Sequence, residues 1–220
     1  MNTIRVATVL FDTKIASAEM PYFRGGVIRL SGGNALFHNH CAEGFHYTYP
    51  LVQYKRIKGC AALMGINQGA EALIELFGGK PSLSFNLGNR QTVMNAVAIR
   101  SERVPVVCDE ASRTYAIGRW LPLNGTNYRI YQQTENLVDR ISMLEKILVG
   151  NILSFVKSIG IFFERPVNCR ILQLEASGLV DYKGVELMSF SAKFSCNVSL
   201  PEGIGLGKSV SMSNGIIRRL

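Results

Sequence analysis

The sequence lacks the features that mark secreted, disulfide-bonded or membrane-spanning proteins. Its five cysteines are odd in number and widely spaced, and no Cys-x-x-Cys pair indicates a zinc knuckle or a redox site. No secretion signal is visible in residues 1–5, because no charged region is followed there by an apolar run. The longest apolar stretch, residues 147–163, is interrupted by polar side chains and falls short of a membrane span. We therefore expect a cytoplasmic protein with reduced thiols and no membrane partner.

Acidic residues are in the minority. Asp and Glu number 16 against 24 Lys and Arg, which gives a formal net charge of +8. This excess favours phosphate polymers or anionic surfaces as partners over acidic or neutral ones. The cations are scattered through strand-like and loop segments, and they form neither a lysine-rich tail nor a basic amphipathic helix. That distribution favours a basic groove, and with it nucleic acid as the ligand.

Hydrophobic periodicity predicts two successive units of mixed helix and strand. In the first half it predicts a helix with Pro21 in its first turn, a second helix over residues 69–77, and strands over residues 4–11, 47–57, 60–66 and 92–102. This β-α-β-β-α-β order is that of the ferredoxin-like unit. In the second half it predicts one long helix over residues 136–159, strands over residues 115–123, 169–177 and 185–198, and a closing segment over residues 213–220.

The least periodic stretch between the halves is residues 104–113, which contain Pro105 and a cluster of polar side chains. Domain boundaries fall in such stretches, so we place one unit over residues 1–108 and the other over residues 109–220. The predicted fold class is α+β, with two tandem ferredoxin-like units (β-α-β-β-α-β related) and a C-terminal glycine-rich loop.

The histidines of the chain are confined to one short segment, residues 37–47. His38 and His40 are two residues apart, so an extended backbone would place both imidazoles on one face, about 6.5–7 Å apart along the chain. Unperturbed imidazole titrates near pH 6.5, so a neutral and a protonated ring can coexist at neutral pH, as paired general base and general acid require. Tyr47 is a candidate donor to a phosphate oxygen, and His46 has no assigned role.

Two other interpretations of this segment stay open. The first is a zinc site, for which His38, His40 and His46 with Cys41 or Glu43 supply enough ligands. The second is structural, with the imidazoles hydrogen-bonded in a loop. The spacing completes no recognisable metal pattern, so we expect no metal and no cofactor.

The second candidate site is the glycine-rich loop near the C-terminus. Gly203, Gly205 and Gly207 permit positive φ and close approach of the backbone to an anion, while Lys208 adds a point charge and Ser209 a hydroxyl. A nucleotide-binding P-loop is excluded, because Glu202 stands where its first glycine is required and too few residues follow for the helix. The alternative is a tight turn between two strands.

Four sequence blocks, in order and in register, resemble those of the Cas-six CRISPR RNA-processing endoribonucleases of the RAMP superfamily, in their type I-B-like branch. The blocks are residues 36–40 (LFHNH) with 49–55 (YPLVQYK), residues 120–124 (WLPLN) with 127–128 (NY), residues 148–155 (LVGNILSF), and residues 205–211 (GLGKSVS). They extend over nearly the whole chain. The resemblance implies two ferredoxin-like units and a C-terminal loop that clasps RNA backbone.

The resemblance also implies an activity: metal-independent cleavage of CRISPR repeats in precursor RNA. In such cleavage a 2′-hydroxyl attacks the adjacent phosphate and leaves a 2′,3′-cyclic phosphate and a 5′-hydroxyl. Carried onto this sequence, His38 and His40 match the histidine pair, Tyr47 is a third member, and Lys208 contacts a phosphate. Arg24 or Arg29 is the candidate cation beside the phosphate.

The loop departs from the family pattern in one place. Residues Met212, Ser213 and Asn214 precede Gly215, where relatives commonly carry a basic residue, a glycine and an aromatic residue. The alternative function is therefore a non-catalytic RNA-binding subunit of a CRISPR interference complex. The implied partners are CRISPR repeat RNA within a precursor transcript, with other subunits of the interference complex and a second copy of the chain as further candidates.

Overall fold

The computed structural model of the protein describes residues 2–38, 49–79, 82–182 and 184–220, without the side chains of residues 176, 177 and 182. The chain divides into two compact units. The N-terminal unit contains Thr3–Val104 together with Ser211–Ser213 from near the end of the chain. The C-terminal unit contains Asn2, Pro105–Val210 and Asn214–Leu220. Within the described ranges, no helix combines the length and the apolar character that crossing a membrane requires.

The N-terminal unit is built on one five-stranded sheet. Its elements are β1 (Thr3–Lys14), α1 (Met20–Leu30), α2 (Ala35–His38), β2 (Val52–Ile57), β3 (Cys60–Ile66), α3 (Gln68–Phe77), β4 (Ser82–Leu87) and β5 (Arg90–Pro105). The strand order is β2-β3-β1-β5-β4, so β2 and β4 form the edges. β3 pairs antiparallel with both of its neighbours, and its Leu63 lies opposite Val9 of β1 and Tyr54 of β2.

An aromatic cluster fills the core of this unit. Phe11 of β1 packs edge-on against Phe23 of α1 and Phe77 of α3, with ring centroids 5.6 and 5.5 Å apart. Phe85 of β4 contacts the same cluster, and its ring lies so close to Gly26 that a Cβ on that glycine would be 2.5 Å from it. Burial of these rings stabilises the unit, because large aromatic side chains contribute most of the apolar area that leaves water on folding.

The C-terminal unit has a four-stranded antiparallel sheet with two helices. Its elements are β6 (Cys108–Trp120), α4 (Gly125–Gln133), α5 (Leu137–Ser158), β7 (Cys169–Tyr182), β8 (Val185–Val198) and β9 (Ile216–Arg219), and the strand order is β7-β8-β6-β9. The side chains of Asn124 and Asn136 cap α4 and α5 by accepting from Asn127 N and Val138 N. α5 buries Leu144, Leu148, Ile152, Phe155 and Val156 at helical spacing.

Most predicted elements are confirmed. The strand predicted over residues 47–57 is wrong at residues 49–51, since β2 begins at Val52, and residues 47 and 48 lie outside the described ranges. The strand over residues 60–66 and the long helix over residues 136–159 correspond to β3 and α5. The sequence analysis did not predict β4, and it did not predict the polar helix α4, which buries only Tyr131. We expected residues 104–113 to be the least regular, but apart from Val106 and Val107 they are strand. β5 ends at Pro105, and β6 begins at Cys108, which pairs with Val198 of β8.

Candidate functional site

The structure describes one of the predicted catalytic side chains, His38. It is the last residue of α2, so the extended conformation predicted for the histidine pair is wrong at His38. The helix forms because Asn34 precedes it and its Oδ1 accepts from Leu36 N at 3.0 Å. His40, His46 and Tyr47 lie outside the described residues, so the predictions for them stay predictions.

Helix α2 is held at its C-terminal end by two side chains from other elements. The Tyr54 hydroxyl of β2 donates to the carbonyl oxygen of Phe37 at 3.1 Å, and Arg24 Nη2 of α1 donates to the carbonyl oxygen of His38 at 2.9 Å. These carbonyls belong to the last turn of the helix, where acceptors have no intrahelical partner. Phe37 is itself buried in the aromatic core, with 2% of its surface exposed. The backbone that carries His38 is therefore fixed by packing and by two hydrogen bonds.

Arg24 and Tyr54 also contact each other. The Arg24 guanidinium carbon lies 5.9 Å from the centroid of the Tyr54 ring, within cation–π range. Burial raises the pKa of Tyr54, and Arg24 opposes this rise only in part, so the phenol stays neutral and remains a hydrogen-bond donor. Arg24 Nε is buried and has no hydrogen-bond partner within the described ranges. Arg29, the other candidate cation, lies exposed on the same helix.

Backbone hydrogen bonds attach the glycine-rich loop to the rest of the C-terminal unit. The N–H groups of Gly203, Leu206 and Lys208 donate to the carbonyls of Ile217, Gly215 and Leu121 at 3.0, 2.8 and 3.1 Å. These three amides are therefore engaged within the unit, and they are not available to an anion. The side chain of Lys208 is half-buried, and the RNA contacts predicted for Gly203, Gly205, Gly207, Lys208 and Ser209 stay predictions.

Close packing explains why glycine occupies two positions of the loop, and no ligand is needed to explain them. Gly207 has a φ of +97°, and the loop packs there against the side chain of Trp120. A Cβ on Gly207 would lie 2.9 Å from Trp120 Cδ1. At Gly205 a Cβ would lie 2.7 Å from Val210 Cβ. Ser209 adopts φ of +55°, uncommon for a residue with a side chain. Close packing thus explains these glycines, and the loop presents Lys208 and Ser209 on a fixed backbone.

After Val210 the chain joins the N-terminal unit, and we call Ser211–Ser213 the C-terminal strap. Tyr54 N donates to the carbonyl of Ser211 at 2.8 Å, and Ser213 Oγ donates to the carbonyl of Tyr54 at 2.9 Å. Met212 lies beside Tyr54 in a parallel β-bridge and packs against the aromatic core. The strap thereby covers part of the open edge of β2. The departure from the family pattern at Met212 and Ser213 falls in this strap.

Sequence reasoning missed Lys55 as a notable residue. Lys55 lies on β2 with 3% of its surface exposed, and its Nζ has no hydrogen-bond partner among the residues that the structure describes. Burial lowers the pKa of its ammonium group to about 7. No local sequence pattern indicates this burial, because the structure buries four successive residues, Val52 to Lys55, of which Gln53 and Lys55 are polar.

The zinc interpretation rests mainly on residues outside the described ranges. Among the described residues, no group of three or more His, Cys, Asp and Glu side chains is arranged to hold a metal ion. His38 is the one histidine that the structure describes.

Comparison with known proteins gives consistent matches over both units. Two family models match the chain, the Cas6b N-terminal domain over residues 2–104 and the Cas6b C-terminal domain over residues 107–220. An uncharacterized protein of Methanocaldococcus jannaschii is 35% identical over 104 residues, which are 47% of this chain and 69% of that protein.

Solved structures share the fold over their whole length. The chain is similar to a crystal structure of Cas6b with a TM-score of 0.86 at 22% identity, covering 100% of both chains. It is also similar to a crystal structure of the CRISPR RNA processing endoribonuclease Cas6b, with a TM-score of 0.76 at 21% identity and 100% coverage of both chains. The fold class predicted from the sequence, two tandem ferredoxin-like units, is confirmed by these likenesses.

Proposed function

Because the chain belongs to the Cas6b family, we propose that it is an endoribonuclease of CRISPR RNA processing, which cleaves repeats in precursor RNA to give guide RNAs. The observation that carries this proposal is the match of both family domains, over residues 2–104 and 107–220. The resemblance predicted from four sequence blocks is confirmed by the same match. Further subunits of an interference complex and a second copy of the chain remain predicted partners.

In the proposed reaction a 2′-hydroxyl of the RNA loses its proton to a neutral imidazole, and its oxygen attacks the adjacent phosphorus. The bond from phosphorus to the 5′-oxygen breaks, and a protonated imidazole supplies the proton that the leaving oxygen takes up. The products are a 2′,3′-cyclic phosphate and a 5′-hydroxyl, so the atoms balance without water or a metal ion. We assign the base and acid roles to His38 and His40, and we assign Tyr47 to a phosphate oxygen.

The contacts around α2 support this assignment for His38. General acid–base catalysis requires a group held within hydrogen-bond reach of the proton that it transfers. The backbone of His38 is fixed by the Arg24 hydrogen bond to its carbonyl, and the preceding residue, Phe37, is buried. Since the Arg24 Nη2 group is engaged there, we assign the cation beside the phosphate to Arg29, which is exposed on α1.

Cleavage of the host's own repeat RNA tests the proposal. We expect fragments that end in a 2′,3′-cyclic phosphate and a 5′-hydroxyl, at an unchanged rate in EDTA. A substrate with 2′-deoxyribose at the cut site is expected to bind and remain intact, because the nucleophile has been removed. End-group analysis and cleavage assays on the two substrates measure these outcomes.

Each competing function gives a different result in the same assay. A zinc-dependent enzyme would lose its activity to a strong chelator, and an enzyme that activates water would still cut the deoxy substrate. A non-catalytic subunit would bind both RNAs and cut neither. Any of these three results contradicts the proposed reaction.

Lys208→Ala is expected to weaken binding of repeat RNA and to lower the salt dependence of that binding. If Lys208 neutralises one phosphate, the slope of log K against log salt concentration becomes smaller in magnitude by about 1. Titrations of the RNA at several salt concentrations measure the slope. Lys146→Ala is the matched control, since it removes the same charge from an exposed position on α5. An unchanged slope for Lys208→Ala would leave the loop as a turn without an RNA contact.

A further inference from the structure

We infer that Tyr54 and Arg24 are positioning residues for cleavage, which hold the backbone at the end of α2, and with it His38, through the carbonyl oxygens of Phe37 and His38. The inference rests on the proposed function, because it assigns His38 to the reaction. It goes beyond that function in giving Arg24 a structural partner in place of a phosphate. It also gives the C-terminal strap a role in the site.

Both the side chain and the backbone of Tyr54 are held in place by contacts other than its hydrogen bond to α2. Its side chain is fully buried and packs edge-on against Phe23, with ring centroids 6.0 Å apart and an angle of 86° between the ring planes. Its backbone N–H and carbonyl are both hydrogen-bonded to the strap, at Ser211 and Ser213. The hydroxyl therefore reaches the Phe37 carbonyl from a rigid support, and the 3.1 Å hydrogen bond fixes the end of α2.

Arg24 holds the following carbonyl, that of His38, and its position depends in turn on Tyr54. Its guanidinium lies 5.9 Å from the centroid of the Tyr54 ring and donates to His38 at 2.9 Å. The guanidinium also adds positive charge at the C-terminal end of α2, where cations are favourable. Tyr54 and Arg24 thus restrain successive carbonyls at the point where the chain enters the segment with the other histidines.

Small displacements of a catalytic group have large kinetic consequences. A misplacement of about 1 Å costs a factor on the order of 10² in rate, because the reacting atoms must be aligned before reaction. Loss of either carbonyl contact is therefore expected to slow the chemical step and to leave RNA affinity unchanged.

The C-terminal strap begins three residues after Lys208. The chain segment that is predicted to contact RNA therefore leads directly into the segment that fixes Tyr54.

The test uses Tyr54→Phe, which keeps the ring and removes only the hydroxyl, and Arg24→Ala with Arg24→Lys. We expect single-turnover cleavage to fall by at least about tenfold in Tyr54→Phe and Arg24→Ala, while the Kd for repeat RNA stays within about twofold. Arg24→Lys is expected to recover part of the rate, because lysine can still donate to the His38 carbonyl. The imidazole NMR signals provide a second readout, since all three histidines lie in the segment at issue.

Tyr115→Phe is the matched control for loss of a buried hydroxyl. The Tyr115 hydroxyl donates to the Val198 carbonyl at 3.2 Å and accepts from Leu200 N at 2.9 Å, within the C-terminal unit. This variant is expected to lose stability and to keep both the parent cleavage rate and the parent imidazole signals. A general loss of stability therefore cannot mimic the positioning effect.

The readouts separate the two hypotheses. If Tyr54→Phe and Arg24→Ala cleave at the parent rate and leave the imidazole signals unmoved, the positioning role is wrong. If the parent protein does not cleave repeat RNA, the proposed function fails, and the imidazole signals of the variants alone decide the positioning role. Shifted signals then support it, and unmoved signals overturn it.

Discussion

His38→Ala and His40→Ala are each expected to slow the cleavage of repeat RNA by roughly 10²-fold or more, because each substitution removes one of the two proton transfers. Binding of the RNA is expected to stay near the parent level, since neither imidazole has been assigned to hold the substrate. Single-turnover cleavage at saturating protein measures the rate, and titration of a 2′-deoxy substrate measures the affinity without cleavage.

His46→Ala is the matched control, because it removes the remaining imidazole of the chain and has no assigned role. We expect it to cleave near the parent rate. If His38→Ala and His40→Ala also cleave at that rate, the catalytic assignment is wrong. If His46→Ala is the slowest of the three variants, the pair of catalytic histidines has been misassigned within the segment.

Elements that depend on local sequence were predicted well. The helix over residues 136–159 was read from its apolar stripe, and Asn136 caps it as its residue type favours. The strand at residues 60–66 was predicted at its observed ends, since its buried residues are continuous and Gly59 precedes it in the turn. The missed strand β4 also has local signals, because Leu83, Phe85 and Leu87 alternate with polar residues.

Contacts between distant parts of the chain could not be predicted in this way. Tyr54 and Met212 form a bridge across more than 150 residues of sequence, and no local pattern indicates that the strap joins the edge of β2. The hydrogen bond from Arg24 to the His38 carbonyl is of the same kind, because it depends on how α1 and α2 pack. Sequence analysis gave Arg24 or Arg29 as the cation beside the phosphate, and it had no means of indicating that Arg24 donates to the His38 carbonyl.

The glycine-rich loop shows how one pattern can have two explanations. Its glycines suggested a phosphate contact, yet Gly205 and Gly207 are required by neighbours at 2.7 and 2.9 Å from a hypothetical Cβ. Steric need and ligand contact favour the same residue type, so composition cannot separate them. The side chain of Lys208 can be tested separately, since the hydrogen bond that Lys208 makes to Leu121 uses its backbone N–H, which a substitution keeps.

The buried amine of Lys55 is expected to make the stability of the protein rise with pH above neutrality. Burial lowers its folded-state pKa to about 7, whereas an unfolded lysine titrates near pH 10.4. Between these values the unfolded chain binds a proton that the folded chain does not, so the free energy of unfolding increases by up to about 1.4 kcal/mol per pH unit. Below pH 7 both states are protonated, and the destabilisation by the buried charge is then greatest.

Lys55→Met is expected to remove this dependence, because methionine occupies a similar volume without an ionisable group. Relieving the desolvation of the ammonium should stabilise the protein by roughly 1–4 kcal/mol near pH 7, with the gain shrinking toward pH 10. Urea unfolding at pH 6, 7, 8 and 9 measures both effects. Lys14→Met makes the same chemical change at an exposed position on β1 and should keep the parent pH dependence. If Lys55→Met retains the parent slope between pH 7 and 9, the amine of Lys55 is not the group that titrates.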